Sequence, residues 1–468
     1  MARPTILDNT LLTPPLLAAS TIRERTMKNP TWSRREFLEL SAAAGASFAA
    51  QPFRFRQVAP SDTVRFGIVG VGMQGSGLLG TSIQLPGVTC GGAADLYDGR
   101  HTLAKEIAGP SLPTTRRYQQ LLDDKTIDCI IAAVPDHWHR KIVADTVSAG
   151  KDIYCEKPMS HTAADGVAMV DAAKKTNRIV QVGSQRVSSQ ICAKVKELIA
   201  QGAIGDLTMV EACLGRNSPT GAWQYPPPPD LSPRTLDWDA WQGDVPKRAF
   251  DANIFARWRC WKEYGTGVAG DLLVHLISGM MFILNVNEPP RQVTAMGGIR
   301  RWKDGRNTPD VHLVNYYYGD LPVSMRLNLG TEVQEMYRFH GAKGLLEMTG
   351  SQITVSPQSG RDPWPSYYAT NSYPGALRQK YEEEWHRAND PKPGQSLPFA
   401  ETRTFIAPDF DDTQVHLWNF FEAVRSRRPV VEDVVFGHHA ALACHMANEA
   451  YFRRAAVSWD DASKTIKG

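Results

Sequence analysis

From residue 64 onward, short apolar runs alternate with segments of helical length. VRFGIV (64–69) is rich in β-branched residues and reads as a strand. It stops at Gly70-Val71-Gly72-Met73-Gln74-Gly75, and an apolar, helix-compatible segment follows. VTCGGAAD (88–95) reads as a second strand, 101–108 as a helix, and a short β-like step is expected near Tyr118. IDCIIAAVP (127–135) is a continuous apolar run closed by proline, the pattern of a strand buried on both faces. A helix over 140–149, a strand in KDIYCEKPMS, a helix over 162–176 and the strand IVQVGSQR complete the series. Strands alternating with helices of this length predict an α/β domain, residues 61–186, built on a doubly wound parallel sheet.

The pattern then changes. AIGDLTMVEACLGR reads as a strand, and YPPPPDLSPRTLDWDAW is too stiff and polar for a core element and reads as a surface excursion. An apolar helix is expected in GTGVAGDLLVHLISGMMFIL (265–284). Six further short runs, QVTAMGGI, VHLVNYYYG, LPVSMRLNLG, YRFHG, GLLEMTG and ITVSP, read as strands separated by Gly, Pro or Asp turns. This predicts an α+β C-terminal domain, 187–468, with an open, mostly antiparallel sheet. One face of such a sheet needs cover, so a homo-oligomer, dimer or tetramer, is expected. Residues 357–409 read as irregular, a lid or an oligomer arm. Helices over about 412–426 and 434–453 close the chain, and His438, His439 and His445 read as helix-surface residues without metal-like spacing.

The glycine turn carries the first chemistry. In a G-x-G-x-x-G turn between strand and helix, Gly70 permits the turn, Gly72 lets backbone approach a diphosphate, and Gly75 lets helix and strand pack. The diphosphate would sit on the N–H groups of the helix start, at Met73 and Gln74. Asp95 lies twenty residues beyond Gly75 at a strand end. A carboxylate there accepts ribose hydroxyls and repels a 2′-phosphate, which favours NAD(H) over NADP(H). The plain alternative is an α/β unit that binds nothing. Arg100 follows the same strand, and Pro135, His137 and His139 follow the third, at the strand ends where ligands bind in such sheets.

Composition narrows the class without changing it. With 42% hydrophobic and 22% charged residues the chain is globular in character. The net charge of +3 is local: residues 1–60 hold eight Arg/Lys and four Asp/Glu, leaving the rest at about −1, so no nucleic-acid partner is expected. The seven cysteines lack a C-x-x-C, which suggests neither a disulfide framework nor a metal site. No apolar run reaches the ~18 residues of a membrane span. Ser33-Arg34-Arg35-Glu36-Phe37-Leu38 resembles a twin-arginine export signal, with an Ala-rich segment behind it and small residues near 47–50 for cleavage. Residues 1–55 are therefore read as signal and linker, with Met27 as a start giving an ordinary signal length. The expected location is periplasmic or otherwise exported, by the twin-arginine machinery, in the folded state.

The glycine turn before Asp95, the VPDHWH loop, the strand ending in CEKP and a later Asp/His element together resemble the Gfo/Idh/MocA oxidoreductase family. The resemblance spans the chain from residue 64 to beyond 440. It implies that Lys157 of CEKP contacts cofactor and substrate near the reacting carbon, and that His139 matches the loop histidine. Asp271 and His275 match the acid/base pair of GGxxxDxGxHxxD, although Leu273 and Ser278 depart from that pattern. Their i, i+4 spacing would put both on one helix face; the structural alternative is an N-cap aspartate and a core histidine. Glu156 and Gln185 are further cofactor candidates, and Arg186, Trp261 and Tyr264 substrate candidates, with core packing as the alternative for the aromatics. No metal is expected.

Three functions follow. The first is an NAD-dependent oxidoreductase of a secondary carbinol on a sugar, sugar derivative or cyclitol, with a tightly bound cofactor. The second is an NAD-dependent glycoside hydrolase or lyase, α-N-acetylgalactosaminidase-like, working by C3 oxidation, elimination, water addition and re-reduction. The third is an inactive, nucleotide-stabilised binding protein.

Overall fold

The computed structural model describes residues 55–358, 367–390, 402–406 and 411–468. The first sheet holds β1 (Val64–Val69), β2 (Val88–Ala94), β3 (Thr114–Thr115), β4 (Cys129–Ala132), β5 (Asp152–Glu156) and β6 (Val180–Gly183). All its pairings are parallel and its order is β3-β2-β1-β4-β5-β6. The order reverses between β1 and β4, where ligands of doubly wound sheets bind. Alternate residues of β1 and β4 serve opposite faces. Phe66 and Ile68 pack with Leu78 and Leu79, whereas Ile130 packs with Ile142, Val143 and Met169.

One cover of this sheet comes from far along the chain. The helix Asp412–Ser426 inserts Leu417, Phe420 and Phe421, all fully buried, against Phe66 and Tyr154. At about 1.5–3 kcal/mol per buried large apolar side chain, these three residues anchor the helix there.

The second sheet contains β7 (Leu207–Gly215), β8 (Gln292–Gly298), β9 (Val311–Tyr318), β10 (Leu321–Asn328), β11 (Val333–Gly341), β12 (Gly344–Thr349), β13 (Gln352–Pro357) and β14 (Arg403–Ile406). Its order is β14-β13-β12-β11-β7-β10-β9-β8, and only β7 with β10 is parallel. β9 alternates strictly: His312, Val314, Tyr316 and Tyr318 are buried, whereas Leu313, Asn315 and Tyr317 face outward. The helices Gln190–Ala200, Val274–Leu284 and Val434–Arg453 share one core with the buried face.

Several expectations need correction. The step near Tyr118 is Thr114–Thr115, and Tyr118 instead precedes the helix Gln119–Asp123. Residues 357–409 are not wholly irregular, since they contain β14 and the helix Gly375–Asn389. That helix buries no residue and so has no apolar stripe to reveal it, only i, i+4 pairs such as Arg378 with Glu382. His438 and His445 are buried, not on the surface, because the helix Val434–Arg453 packs between the two sheets. The twin-arginine stretch lies outside the described residues, and no helix among the described ones is long and apolar enough to cross a membrane.

Candidate active site

The glycine turn forms the floor of the cleft. Gly70 has φ +86°, and a Cβ there would lie 2.4 Å from the Ala133 carbonyl oxygen; one on Gly75 would lie 2.0 Å from that of Gly70. Only glycine lets β1, β4 and the helix Met73–Ser82 come this close. Gly72 caps that helix with no side-chain hydrogen bond, so its first N–H groups, with Met73 and Gln74 exposed above them, are free for an anion. This uncapped start, at the switch point and beside a strand-end carboxylate, fits the diphosphate of a nicotinamide dinucleotide.

Asp95 is more committed than its position in the sequence suggests. Its Oδ2 accepts from Val71 N at 2.8 Å and faces Arg100 Nη1 at 3.3 Å, while Oδ1 accepts from Tyr97 N at 3.0 Å. It therefore braces the glycine turn. Pro135 opens the short turn Asp136–Trp138 at the end of β4. Both histidines of this loop are braces. The ring of His137 meets the carbonyls of Tyr264 and Trp241, at 3.3 and 3.0 Å, and burial lowers its pKa to about 4. The buried ring of His139 spans the carbonyls of Pro158 and Val134, at 2.8 and 2.9 Å. Each ring thus ties this loop to neighbouring backbone.

Glu156, at the end of β5, is buried, and burial raises its pKa against the pull of Lys157. Its Oε1 gathers Gln74 at 2.9 Å and Gln185 at 3.4 Å, tying the glycine-turn helix to the end of β6. Lys157 begins the next stretch and turns across the cleft. Its Nζ donates to the Asp271 carbonyl at 2.8 Å and to Oδ1 at 3.0 Å, joining residues 114 positions apart.

Two close approaches make that contact. A Cβ on Gly270 would lie 1.7 Å from Thr266 Oγ1 and 3.0 Å from Pro158, so glycine lets the Asp271 turn press against the lysine loop. Buried Asp136 then fastens the turn, accepting from Thr266 N at 3.0 Å and Oγ1 at 2.7 Å.

The acid/base pair differs from its expected geometry. Asp271 lies in a π-helical turn, Ala269–Leu273, and His275 in the α-helix after it, so the simple one-turn offset is broken. Among the described residues no hydrogen bond joins the two. Asp271 Oδ1 instead takes both Lys157 and Arg259 Nε, the latter at 2.9 Å. Burial alone would push the Asp271 carboxyl up, but the adjacent Lys157 and Arg259 cations outweigh it and hold the carboxyl well below the usual range. For His275, burial and then the charges of Lys157 and Arg186 hold the imidazole well below its ordinary value, against the pull of Asp271. The ring is neutral near pH 7, a proton acceptor within the field of the Lys157 ammonium. Its backbone carbonyl accepts from Tyr337 Oη at 3.1 Å, which pins the helix to β11.

Of the substrate candidates, Tyr264 is 1% exposed, packed among Tyr97, Trp238 and Trp241, and Trp261 packs against the same cluster. Tyr264 is therefore core. Arg186 pairs with Glu335 at 2.7 Å and Asp412 at 3.4 Å. Arg259, whose guanidinium lies 4.2 Å from the Trp258 ring centre, was not foreseen; its only sequence signal is a cation within the aromatic run WRCW. Asp136 was visible in VPDHWH, but its task of clamping Thr266 was not.

Residues 64–184 match the family model described as an oxidoreductase family with an NAD-binding Rossmann fold. Inositol 2-dehydrogenase 1 of Saccharopolyspora erythraea is 32% identical over 33% of this chain and 47% of its own length; the chain spans about half the length of the inositol dehydrogenases it matches. Levoglucosan dehydrogenase of Pseudarthrobacter phenanthrenivorans is 28% identical over 70% of this chain and 79% of its own. A glycosyl hydrolase family 109 protein of Saccharopolyspora erythraea is 24% identical over 74% and 79%. A solved levoglucosan dehydrogenase complex with NADH and L-sorbose shares the fold, with TM-score 0.60 and 18% identity over 85% of this chain and 98% of that one. The segment from β1 to the end of β6 is thus similar to the NAD-binding Rossmann domains of that oxidoreductase family.

Proposed function

We propose that this protein oxidises a secondary carbinol of a sugar, sugar derivative or cyclitol, with NAD rather than NADP as the cofactor. The observation that carries the reading is the ammonium of Lys157 held by Asp271, with His275 four residues further on at the start of the next helix and its imidazole kept neutral in part by the Lys157 charge. When bound, the nicotinamide supplies the hydride acceptor. Lys157 steadies the substrate oxygen as it loses its proton, using the N–H that Asp271 leaves free. His275 takes that proton. Asp271 keeps Lys157 in place and, with Arg259 on the same oxygen, leaves a surplus positive charge beside the developing alkoxide.

A second reading has its own support in the similarity to the glycosyl hydrolase family 109 protein over most of this chain. There the same oxidation, at C3, would acidify the C2 proton, the C1 substituent would leave by elimination, and water addition and re-reduction would restore the sugar. A panel of free sugars, cyclitols and aryl glycosides separates the two. Reduction of NAD by a free polyol, whether the NADH stays bound or is released, supports the dehydrogenase. Aglycone release without NADH accumulation supports the glycosidase, and neither activity leaves only a nucleotide-binding protein.

Export by the twin-arginine route, read from Ser33 to Leu38, belongs to the same proposal, since a folded protein can leave with its cofactor bound. A homo-oligomer is proposed through the outward face of the second sheet, where Met296, Leu313 and Tyr317 are exposed.

A further inference from the structure

The Pro-rich excursion contributes only Arg259 to the chemistry above, yet it is built against the nucleotide cleft. It leaves the end of β7 at Gly215 and returns at Tyr264, just before the Asp271 turn. In between, it docks on the loop that follows Asp95. Tyr97 and Leu236 form an antiparallel bridge, Asp98 N donates to Thr235 O at 2.9 Å, and Asp237 N donates to Leu96 O at 3.1 Å. The Tyr97 hydroxyl donates to Asp230, and Arg116 holds Asp98 and the Arg234 carbonyl together.

A second set of contacts reaches the loop after β4. The helix Trp238–Gln242, capped by Asp237, presents the Trp241 carbonyl to Trp138 Nε1 at 2.9 Å and to His137 at 3.0 Å. Gly243 has φ +60° and abuts the Trp138 ring. Behind these bonds Tyr97, Leu236, Trp238, Trp241, Phe255 and Tyr264 form a separate apolar core, with Trp238 and Trp241 stacked 4.9 Å apart. Between excursion and sheet lies a cavity of about 330 Å³, walled by Asp95, Leu96, Tyr118 and Val134 on one side and by Ala240 and Trp241 on the other. That volume is at the small end of the ~300–1,000 Å³ of ligand sites, suited to one base and ribose. The cavity opens beside the ribose carboxylate, so its natural occupant is the adenosine of the dinucleotide.

We infer that residues 230–256 form a clasp closing the adenosine end of the cleft, so that the nucleotide is retained from one turnover to the next. Trp241 supplies an apolar wall that no glycine-turn motif encodes. The bridge to Leu96 and Tyr97 and the bonds to Trp138 and His137 must part before the nucleotide leaves. The inference deepens the proposed function, in that a captive cofactor must be re-reduced or re-oxidised in place by the same or a second substrate. It rests only on the nucleotide reading of the cleft, not on the sugar chemistry.

The test is nucleotide exchange on the full-length protein, without sugar. Protein purified with no added nucleotide is desalted, its bound NAD is released and counted, and the uptake of radiolabelled NAD is timed. The wild type should emerge near stoichiometric and exchange slowly. Trp241→Ala should exchange roughly 10- to 100-fold faster, since changes at one interface act mostly on the off-rate. Tyr97→Phe, which keeps the ring and loses only the bond to Asp230, should fall between them, with circular dichroism and Tm verifying that both variants fold. A wild type that exchanges as fast as Trp241→Ala overturns the clasp while leaving a saturable NAD site, and hence the nucleotide reading, intact. No NAD bound at purification and none taken up by any of the three folded proteins overturns both.

Discussion

The two ends of the nucleotide cleft are held by different forces. At the reacting end, one carboxylate oxygen of Asp271 carries two cations, and a neutral imidazole lies nearby. At the adenosine end, stacked tryptophans and backbone bridges close a small cavity. Electrostatics in a water-poor site are strong but local, whereas apolar packing is cooperative over a whole segment. The contrast separates rate from retention: changes of charge at one end should slow the chemistry with nucleotide still bound, and changes of packing at the other should release the nucleotide first. One chain segment touches both, since the excursion that makes the clasp ends in Arg259 and the Asp271 turn.

The largest effect that would sharpen this contrast is expected for Lys157→Ala. Loss of a fixed donor to a developing oxyanion should lower kcat by about 10²–10³-fold with unchanged NAD content; near-normal turnover would remove lysine from the mechanism. Next is Asp271→Asn, which keeps the shape but leaves Lys157 and Arg259 sharing a neutral partner. A drop of roughly 10²-fold in kcat, with KM little changed, is the expected kinetic signature.

Asp95→Ala crosses the boundary between the two ends. It removes an ionised acceptor from the Val71 and Tyr97 N–H groups, and hydrogen bonds to charged groups contribute about 1.5–3 kcal/mol, roughly 10–150-fold in Kd. Calorimetric titration with NAD should show that loss, together with a lower Tm; an unchanged affinity would count against the ribose assignment.

The pH profile tests the imidazole. His275 has its pKa pulled below the ordinary 6.5, so it stays unprotonated and able to accept a proton as pH falls through that value. The acid limb of kcat/KM should therefore lie below pH 6.5, and it should disappear in His275→Ala at that variant's much lower rate. The smallest effect is expected for Tyr337→Phe, which removes one of the donors to the His275 carbonyl and leaves Ser278 Oγ. About 1 kcal/mol of stability should be lost, read as a modest fall in Tm.

Much of the frame was legible in residue order because it is governed by local rules. The glycine turn, the continuous apolar strands and the period-2 runs after residue 290 each encode their own conformation. Lys157, Asp271 and His275 were singled out through the resemblance of their motifs to a known family, and the structure gathers Lys157 and Asp271 into one contact. The roles of His137 and His139 were harder to read, since a loop histidine beside a cofactor site and one that braces carbonyls look alike in sequence. Tyr264 and Trp241 posed the same problem, because an aromatic cluster carries no label for what it packs against.

By itself the sequence determined the parallel strands and the residues present at each strand end, because those depend on neighbours within a few residues. Only the tertiary structure decided who partners whom. Asp271 went to Lys157 and Arg259 instead of His275 because a π-turn shifts the helix face and a Cβ-free Gly270 lets the lysine loop approach. The Pro-rich stretch became a wall of the cavity because its apolar residues could be buried only against the Rossmann loops. Contacts across more than a hundred residues are set by which surfaces can pack and pair together, and no local pattern holds that information.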